Sequence, residues 1–469
     1  MPAPLANFGN SFRALRSNAR LYLVSNTLQA VTAGAFAVLY VLFLTKLGYS
    51  TDFVGLVLVI GTIGGGLGII PASALVKRLG YRALLLWSDF VGGFAFAAQL
   101  FFPTAPVILL TTLAAGASFA LFLVVNAPFL AANSSEHERT ALFGLNNALG
   151  FLAAVVGSLL GGGLPTWFRG LSFDGHGALA WLRPLLVRNA DARTLQVALM
   201  ASALIAVPAF IPILFLNDER QVSSPSDPLS SRGEGEPGRL VAWWARWGDL
   251  KTRLRDGWGA TVREARGVIG RFSVTQALIG FGAGLYFPYM SIYFVNDLHT
   301  TLTFYGVFSA VMTISLAGAS LLSAPLAARY GKMPVSVIAQ ILSIPFLVAL
   351  GLFPIVWIVS ATLLVRTFLM NIPGAPLSAY LMEAVPEQRR VIASGVYNVS
   401  FQLVGALGAG VGGVLINRIG FPLTILLAVP FYAASAILLI VWFGLRRQPA
   451  TPPVDELPTP LVASEPLKR

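Results

Sequence analysis

The sequence predicts an all-α integral membrane protein of twelve transmembrane helices, arranged as two six-helix bundles. Three observations carry this. The chain is 56% hydrophobic and only 11% charged, against about 25% charged residues in an ordinary soluble domain. Apolar runs long enough to cross ~30 Å of hydrocarbon as helices follow one another along the chain. Residues also recur at one fixed offset, Leu75 to Leu326, a shift of 251.

Taken in order, six runs lie at roughly 21–44, 53–75, 83–102, 105–131, 141–165 and 195–216, and six more at 268–295, 303–327, 333–352, 355–382, 391–415 and 421–445. They divide the chain into an N-terminal bundle (1–216), a cytoplasmic linker (217–266), a C-terminal bundle (267–447) and a tail (448–469) expected to be disordered. The tail is Pro-rich and polar, with too little apolar content to pack. The first twenty residues lack the apolar core and small-residue cleavage site of a signal peptide, so the first run is expected to stay as a helix.

Basic residues orient the chain. With the N-terminus inside, the inner segments hold Arg13, Arg16, Arg20, Lys77, Arg78, Arg82, Arg139, Arg329, Lys332, Arg389, Arg390, Arg446 and Arg447. The outer segments hold Lys46, Arg169, Arg183, Arg188, Arg193 and Arg418. The positive-inside rule then places both termini in the cytoplasm, as an even number of spans requires. Inside the linker, Leu240, Trp243, Trp244, Trp247, Leu250 and Leu254 share one helical face apart from Arg246, Lys251, Arg253 and Arg255. Such a helix is expected to lie flat against anionic inner-leaflet lipids over 239–266.

The repeat is extensive. Leu75, Arg78 and Gly80 recur as Leu326, Arg329 and Gly331. Phe53 and Gly55 recur as Phe304 and Gly306, and Glu136 and Arg139 as Glu387 and Arg390. Gly144, Asn147, Gly157, Gly161 and Gly162 recur as Gly395, Asn398, Gly408, Gly412 and Gly413. Parallel repeats of this kind imply halves related by an axis along the membrane normal.

On these residues the chain resembles the major facilitator superfamily. That family carries a cytoplasmic turn of the form G-x-L-a-D-r-x-G-r-r between its second and third helices, with a weaker copy between the eighth and ninth. Leu75, Arg78, Gly80 and Arg82 match the first, and Leu326, Arg329, Gly331 and Lys332 the second. Lys77 and Ala328 stand where the family has Asp. The resemblance covers residues 20–445. It implies two bundles rocking about a central cavity lined by helices 1, 4, 7 and 10, with cytoplasmic loops that gate it. Lys77, Arg78, Gly80, Arg82, Asp89, Glu136, Arg139, Arg329, Gly331, Glu387 and Arg390 are the expected gating and motif residues. Gly157, Gly161 and Gly162 resemble the antiporter motif of the family's fifth helix. Close packing is the preferred reading of them, as it is of Gly408, Gly412 and Gly413. Helices 5 and 11 are expected at the seam between the halves.

Polar faces within spans point to a cavity. Asn26, Gln29, Thr32, Phe36 and Tyr40 fall on one stripe of the first run, which lipid would penalise. Gln276, Tyr286 and Tyr293 form a similar stripe in the seventh, and Asn126 lies in the fourth. The competing reading is ordinary hydrogen bonding between helices. Arg366 stands near mid-membrane in the tenth run, where a cation costs roughly 2.5–3.5 kcal/mol on insertion scales and so needs a partner, a wet cavity or an anionic substrate. Asp89 is expected to brace the basic turn through Lys77 or Arg82, or else to carry a proton.

The chain has no cysteine and three scattered histidines, hence no thiolate or clustered metal site, and it has no phosphate-binding loop. The net charge of +12 is read as a membrane-surface property and not as nucleic-acid binding. The expectation is a monomeric secondary transporter in a bacterial inner membrane, without a cofactor but open to coupling with a proton gradient. It is expected to export a small amphipathic or anionic organic solute by alternating access. The alternatives are sugar or organic-acid uptake and a transport-inactive sensor or scaffold. An enzyme is not expected.

Overall fold

A computed structural model describes residues 15–134, 136–169, 184–217, 267–386 and 389–444. The expected interfacial helix at 239–266, the tail and Glu387 lie outside the described residues, as do the side chains of Lys77 and Glu136.

Among the described residues all regular structure is helical. The first half comprises α1 (Ser17–Lys46), the hydrogen-bonded stretch Thr51–Phe101, α4 (Ala105–Ala132), α5 (Glu136–Phe168) and α6 (Ala190–Leu214). A straight helix over Thr51–Phe101 would run about 77 Å, far more than a bilayer. It breaks at Gly80 (φ 80°, ψ 171°) into α2 (51–79) and α3 (81–101). The second half comprises α7 (Val268–Asp297), α8 (Leu302–Tyr330), α9 (Lys332–Leu352), α10 (Val356–Ala384) and the stretch Arg390–Phe443. That last stretch breaks at Gly420 (φ 80°, ψ 173°) into α11 (390–419) and α12 (421–443). The twelve predicted spans are therefore all present. Large apolar side chains such as Phe94, Leu321 and Trp357 are exposed on the outside of the bundle, where lipid is their solvent.

The repeat of 251 residues is visible in single torsions and bonds. Gly80 and Gly331 both take positive φ at the basic turns, and Gly48 and His299 both do so before α2 and α8. Ser50 caps α2 by accepting from the Phe53 amide, and Thr301 caps α8 by accepting from the Phe304 amide. Arg139 donates to the Ala131 carbonyl at the end of α4, and Arg390 to the Met382 carbonyl at the end of α10. α7 departs from its partner α1. It passes through a 3-10 turn at Phe287–Tyr289 and a π segment at Tyr293–Asp297. Pro288 removes an amide donor there, which explains the break.

Both termini of the described chain lie on one side, here called the terminal face; the other is the far face. Within each half, small residues bring helices together: Gly157 and Gly161 of α5 sit on Val31 and Ala35 of α1, and Gly408 and Gly412 of α11 sit on Phe281 and Leu285 of α7. Sequence alone placed all six motif glycines at the seam between halves. Four of them instead pack inside their own half, because only one stripe of a helix can face the other bundle.

Candidate functional site

The contacts between halves are concentrated at the far face. α5 meets α8, and α2 meets α11. At the first seam Gly162 lies so close to α8 that an added Cβ would stand 2.7 Å from the Gly306 Cα. Thr303 donates to the Gly162 carbonyl at 3.1 Å, Thr166 and Thr303 share a hydrogen bond of 3.0 Å, and Ser309 donates to Ser158 at 3.3 Å. The second seam repeats this design. A Cβ on Gly55 would stand 2.9 Å from the Ala409 carbonyl oxygen, and Gly413 rests on the Thr51 carbonyl. Thr51 donates to the Gly413 carbonyl at 2.9 Å, and Asn417 donates to Asp52 Oδ2 at 3.2 Å.

The two seams differ in two pairs. The positions of Ser309 and Ser158 are Leu58 and Ala409 in the second seam, which form no such bond. The equivalent of Thr166···Thr303 is Asn417→Asp52, so one lock is neutral and the other carries a carboxylate. Asp52 Oδ1 is buried without a hydrogen-bond partner. Sequence reasoning passed over this acid because it sits in the first turn of a helix, where an acid is ordinary. Its mismatch with Thr303 in the repeat was the available signal.

Toward the terminal face the bundles part. Gly144 and Gly150 of α5 and Gly395 of α11 face open space, and the repeat-related Asn147 and Asn398 are exposed. Asparagine facing lipid would be penalised, so these residues mark a polar mouth. Beneath the α2–α11 seam lies a pocket of about 260 Å³, lined by Leu58 and Thr62 of α2, Ala283, Phe287 and Pro288 of α7, and Phe401 and Gln402 of α11.

The basic residues of the terminal face hold their own half. Arg82 donates to the Leu214 carbonyl at the end of α6, at 2.5 Å, a helix C-terminus that favours a cation. Arg139 and Arg390 do the same for α4 and α10. Arg329 lies over Tyr330, and Lys332 pairs with Glu383. Arg78 is exposed. Arg82 does not brace Asp89: Asp89 Oδ2 accepts from Gln29 Nε2 of α1 at 2.9 Å, and Arg82 turns to α6. The other expected partner, Lys77, lies outside the described side chains. Arg82 stands seven residues before Asp89, about two turns along α3, and its guanidinium finds the unpaired carbonyl of α6.

The α1 stripe is divided among neighbours. Asn26 donates to Asn146 of α5 at 2.8 Å, Thr32 to the Ser202 carbonyl of α6 at 2.9 Å, and Tyr40 to Gln99 of α3 at 2.6 Å. Phe36 stacks on Tyr40 and against Phe96. Asn126 of α4 accepts from the Tyr22 hydroxyl at 2.8 Å. Hydrogen bonding within the N-terminal half thus accounts for most of the stripe. Asn26, Gln29, Thr32 and Asn126 remain half-buried, and Tyr40 is buried.

In the C-terminal half, Gln276 is half-buried, while Tyr286 and Tyr293 are buried. Tyr293 stacks on Phe421 of α12 with ring centroids 4.8 Å apart. Arg366 is 4% exposed. Its guanidinium carbon lies 4.4 Å from the ring centroid of Tyr432 on α12 and 5.4 Å from that of Tyr286 on α7. Cation–π contacts of this kind contribute about 2 kcal/mol when desolvated. Arg366 therefore points into the core of its own bundle and not into the open mouth, as the cavity expectation had it. Residues i and i+4 of a helix face one way, but the sequence does not say which way that is.

Among the described residues no group of three His, Cys, Asp or Glu side chains could hold a metal ion.

Comparison with known proteins accords with this architecture. The model of the Major Facilitator Superfamily matches residues 22–265 and 272–468. No curated protein matches the sequence. Among solved structures, a bacterial homolog of the human lysosomal transporter Spinster, in an inward-facing and occupied conformation, superposes with a TM-score of 0.67 at 12% identity, covering 92% of this chain and 98% of that one. The nucleoside transporter NupG gives 0.62 at 13% identity, covering 92% and 99%. A D-xylose-proton symporter gives 0.62 at 14% identity, covering 92% and 98%.

Proposed function

Because the chain belongs to the Major Facilitator Superfamily, we propose that it is a secondary active transporter that exports a small amphipathic or anionic organic solute by alternating access. Membership makes it a multi-pass membrane transporter and sets it apart from enzymes. Substrate and direction are our reading. The observation that carries it is the unequal closure of the two faces. Glycine-on-glycine contacts and paired side chains join the halves at the far face, while Asn147 and Asn398 stand exposed at the terminal face. The basic residues favour a cytoplasmic terminal face in a bacterial inner membrane. The arrangement is then the inward-open member of an alternating pair, ready to load from the cell.

The substrate class is argued from charge and ring content. Arg366 has no carboxylate partner among the described residues and stands one turn of α7 from the pocket between the halves, which favours an anionic group in the cargo. Phe287 and Phe401 in that pocket favour apolar bulk. Purified protein in liposomes with an imposed pH gradient should move a fluorescent amphipathic carboxylate outward with respect to the terminal face. Transport in the opposite sense, or of a neutral sugar alone, would replace export with uptake. Absence of flux across anionic, neutral and cationic panels would remove the transport reading altogether.

A further inference from the structure

The repeat separates what the scaffold needs from what was added to it. Thr111 of α4 and Thr362 of α10 occupy equivalent positions and bond back to equivalent carbonyls, Val107 and Ile108 in one half and Ile358 and Val359 in the other. The register of these two helices is therefore secure. Four residues further on, α4 has Ala115 and α10 has Arg366. The fold does not need a cation here, since the first half is built without one.

The cation is also uncompensated. A guanidinium keeps its proton, yet Arg366 Nε and Nη2 have no hydrogen-bond partner, and no carboxylate of a described residue makes an ion pair with it. The buried hydroxyl of Thr367 is unpartnered as well, and the oxygen facing both the guanidinium and Tyr286 is the neutral hydroxyl of Tyr432. Gln340 of α9, whose Nε2 reaches Ser435 one turn from Tyr432, leaves its Oε1 free. That neutral acceptor can satisfy a donor but not a charge. Among the described residues, the surroundings thus offer neutral oxygens but no negative charge to one fixed cation.

We propose that Arg366, with Tyr286 and Tyr432, forms a binding site for a single monovalent anion, either a carboxylate on the cargo or a free halide. The inference rests on the transport reading only for the first of these sources. Access follows from the break in α7. Gly282 and Tyr286 face the cage, a Cβ on Gly282 standing 2.9 Å from the Tyr432 ring, while Ala283, Phe287 and Pro288 line the pocket between the halves. One irregular turn of α7 separates the two spaces. Tyr286 starts that turn with a non-helical φ of −137°, so a shift there opens the cage to the pocket without unpacking the bundle.

The test is thermal unfolding of the purified full-length chain in detergent, titrated at constant ionic strength with sodium chloride, sodium benzoate or sodium sulfate. Binding to the folded state raises the melting temperature in a saturable way. Chloride, benzoate or both should raise it saturably by a few degrees, whereas sulfate, with two charges for one guanidinium, should give only the unsaturating rise of an excluded salt. Response to chloride alone identifies a free ion, and response to benzoate alone identifies a carboxylate. Tyr286→Phe, which keeps the ring and the cation, should shift the half-saturating anion concentration several-fold upward. Arg366→Gln should abolish the response. Equal melting in all three salts, or an undiminished response in both variants, overturns the site. Flux in liposomes separates the two readings: anion-dependent melting without transport removes the transporter, and transport without anion-dependent melting removes the site.

Discussion

At the scale of single residues, the two halves carry complementary unpaired charges in unduplicated positions. Asp89 of α3 has Gln340 as its counterpart in α9, and Arg366 of α10 has Ala115 in α4. Asp89 is held by one hydrogen bond from Gln29. We propose it as the acid that carries a proton through the N-terminal half, because the bond links it to α1, a helix that also touches the other half through Met290–Ile292 of α7. Asp89→Asn keeps the shape and still offers an oxygen to Gln29. It should leave substrate exchange at symmetric pH near the wild-type rate and reduce pH-driven accumulation at least tenfold, read in liposomes with and without a gradient. Unchanged accumulation would rule out the proton role. Both charges were legible in the sequence, since a charge inside an apolar run is conspicuous. Their surroundings were not. Lipid is as apolar as the core of a bundle, so hydrophobicity does not reveal which face of a helix turns inward. Arg366 was accordingly read as facing the cavity, whereas it faces Tyr432.

Helical elements were the most legible level. Twelve apolar runs correspond to twelve helices, and the basic turns fall where Leu75–Arg82 and its repeat put them. The short turns work because Gly80, Gly331 and Gly420 take φ near +80 to +94° with extended ψ, a region essentially restricted to glycine. Alanine at any of the three should cost roughly 1–3 kcal/mol. Gly80→Ala and Gly331→Ala, being far apart, should add in a double variant. Loss of thermal stability well below that sum, or none at all, would show that the turns relax into another geometry. The breaks within α7 were not legible. Pro288 announces a disturbance, but the π segment at Tyr293–Asp297 depends on packing against α12 and on the chain reversal at His299, neither of which leaves a local pattern. The division of small residues between α5–α1 contacts and α5–α8 contacts was hidden for the same reason. Glycines at spacings of four and one look alike whether they face their own half or the other.

The whole molecule is two bundles joined near one end. Their relation was evident from the 251-residue offset, which survives in caps, torsions and paired locks; the state of closure was not, since one sequence serves every state. The joint has a mechanical reading. From Gly162 to Glu136, α5 extends about 39 Å at 1.5 Å per residue. The glycine contacts are thus a fulcrum near one end of a long beam. A rotation of roughly 10° about them sweeps the opposite tip through ~7 Å, by the same helix geometry. Such leverage lets a small angular change open or shut an aperture as wide as a small solute, with little rearrangement at the joint. A methyl wedged into the fulcrum should then alter the mouth far more than it alters stability. The native chain has no cysteine, so labels can be placed directly at Asn147→Cys and Asn398→Cys and their separation read by pulsed electron resonance. Adding Gly162→Ala should move that distance distribution toward shorter values, as the far face is pried apart and the mouth draws in. An unmoved distribution would show that the beams bend instead of turning, and that the joint is a clamp and not a pivot.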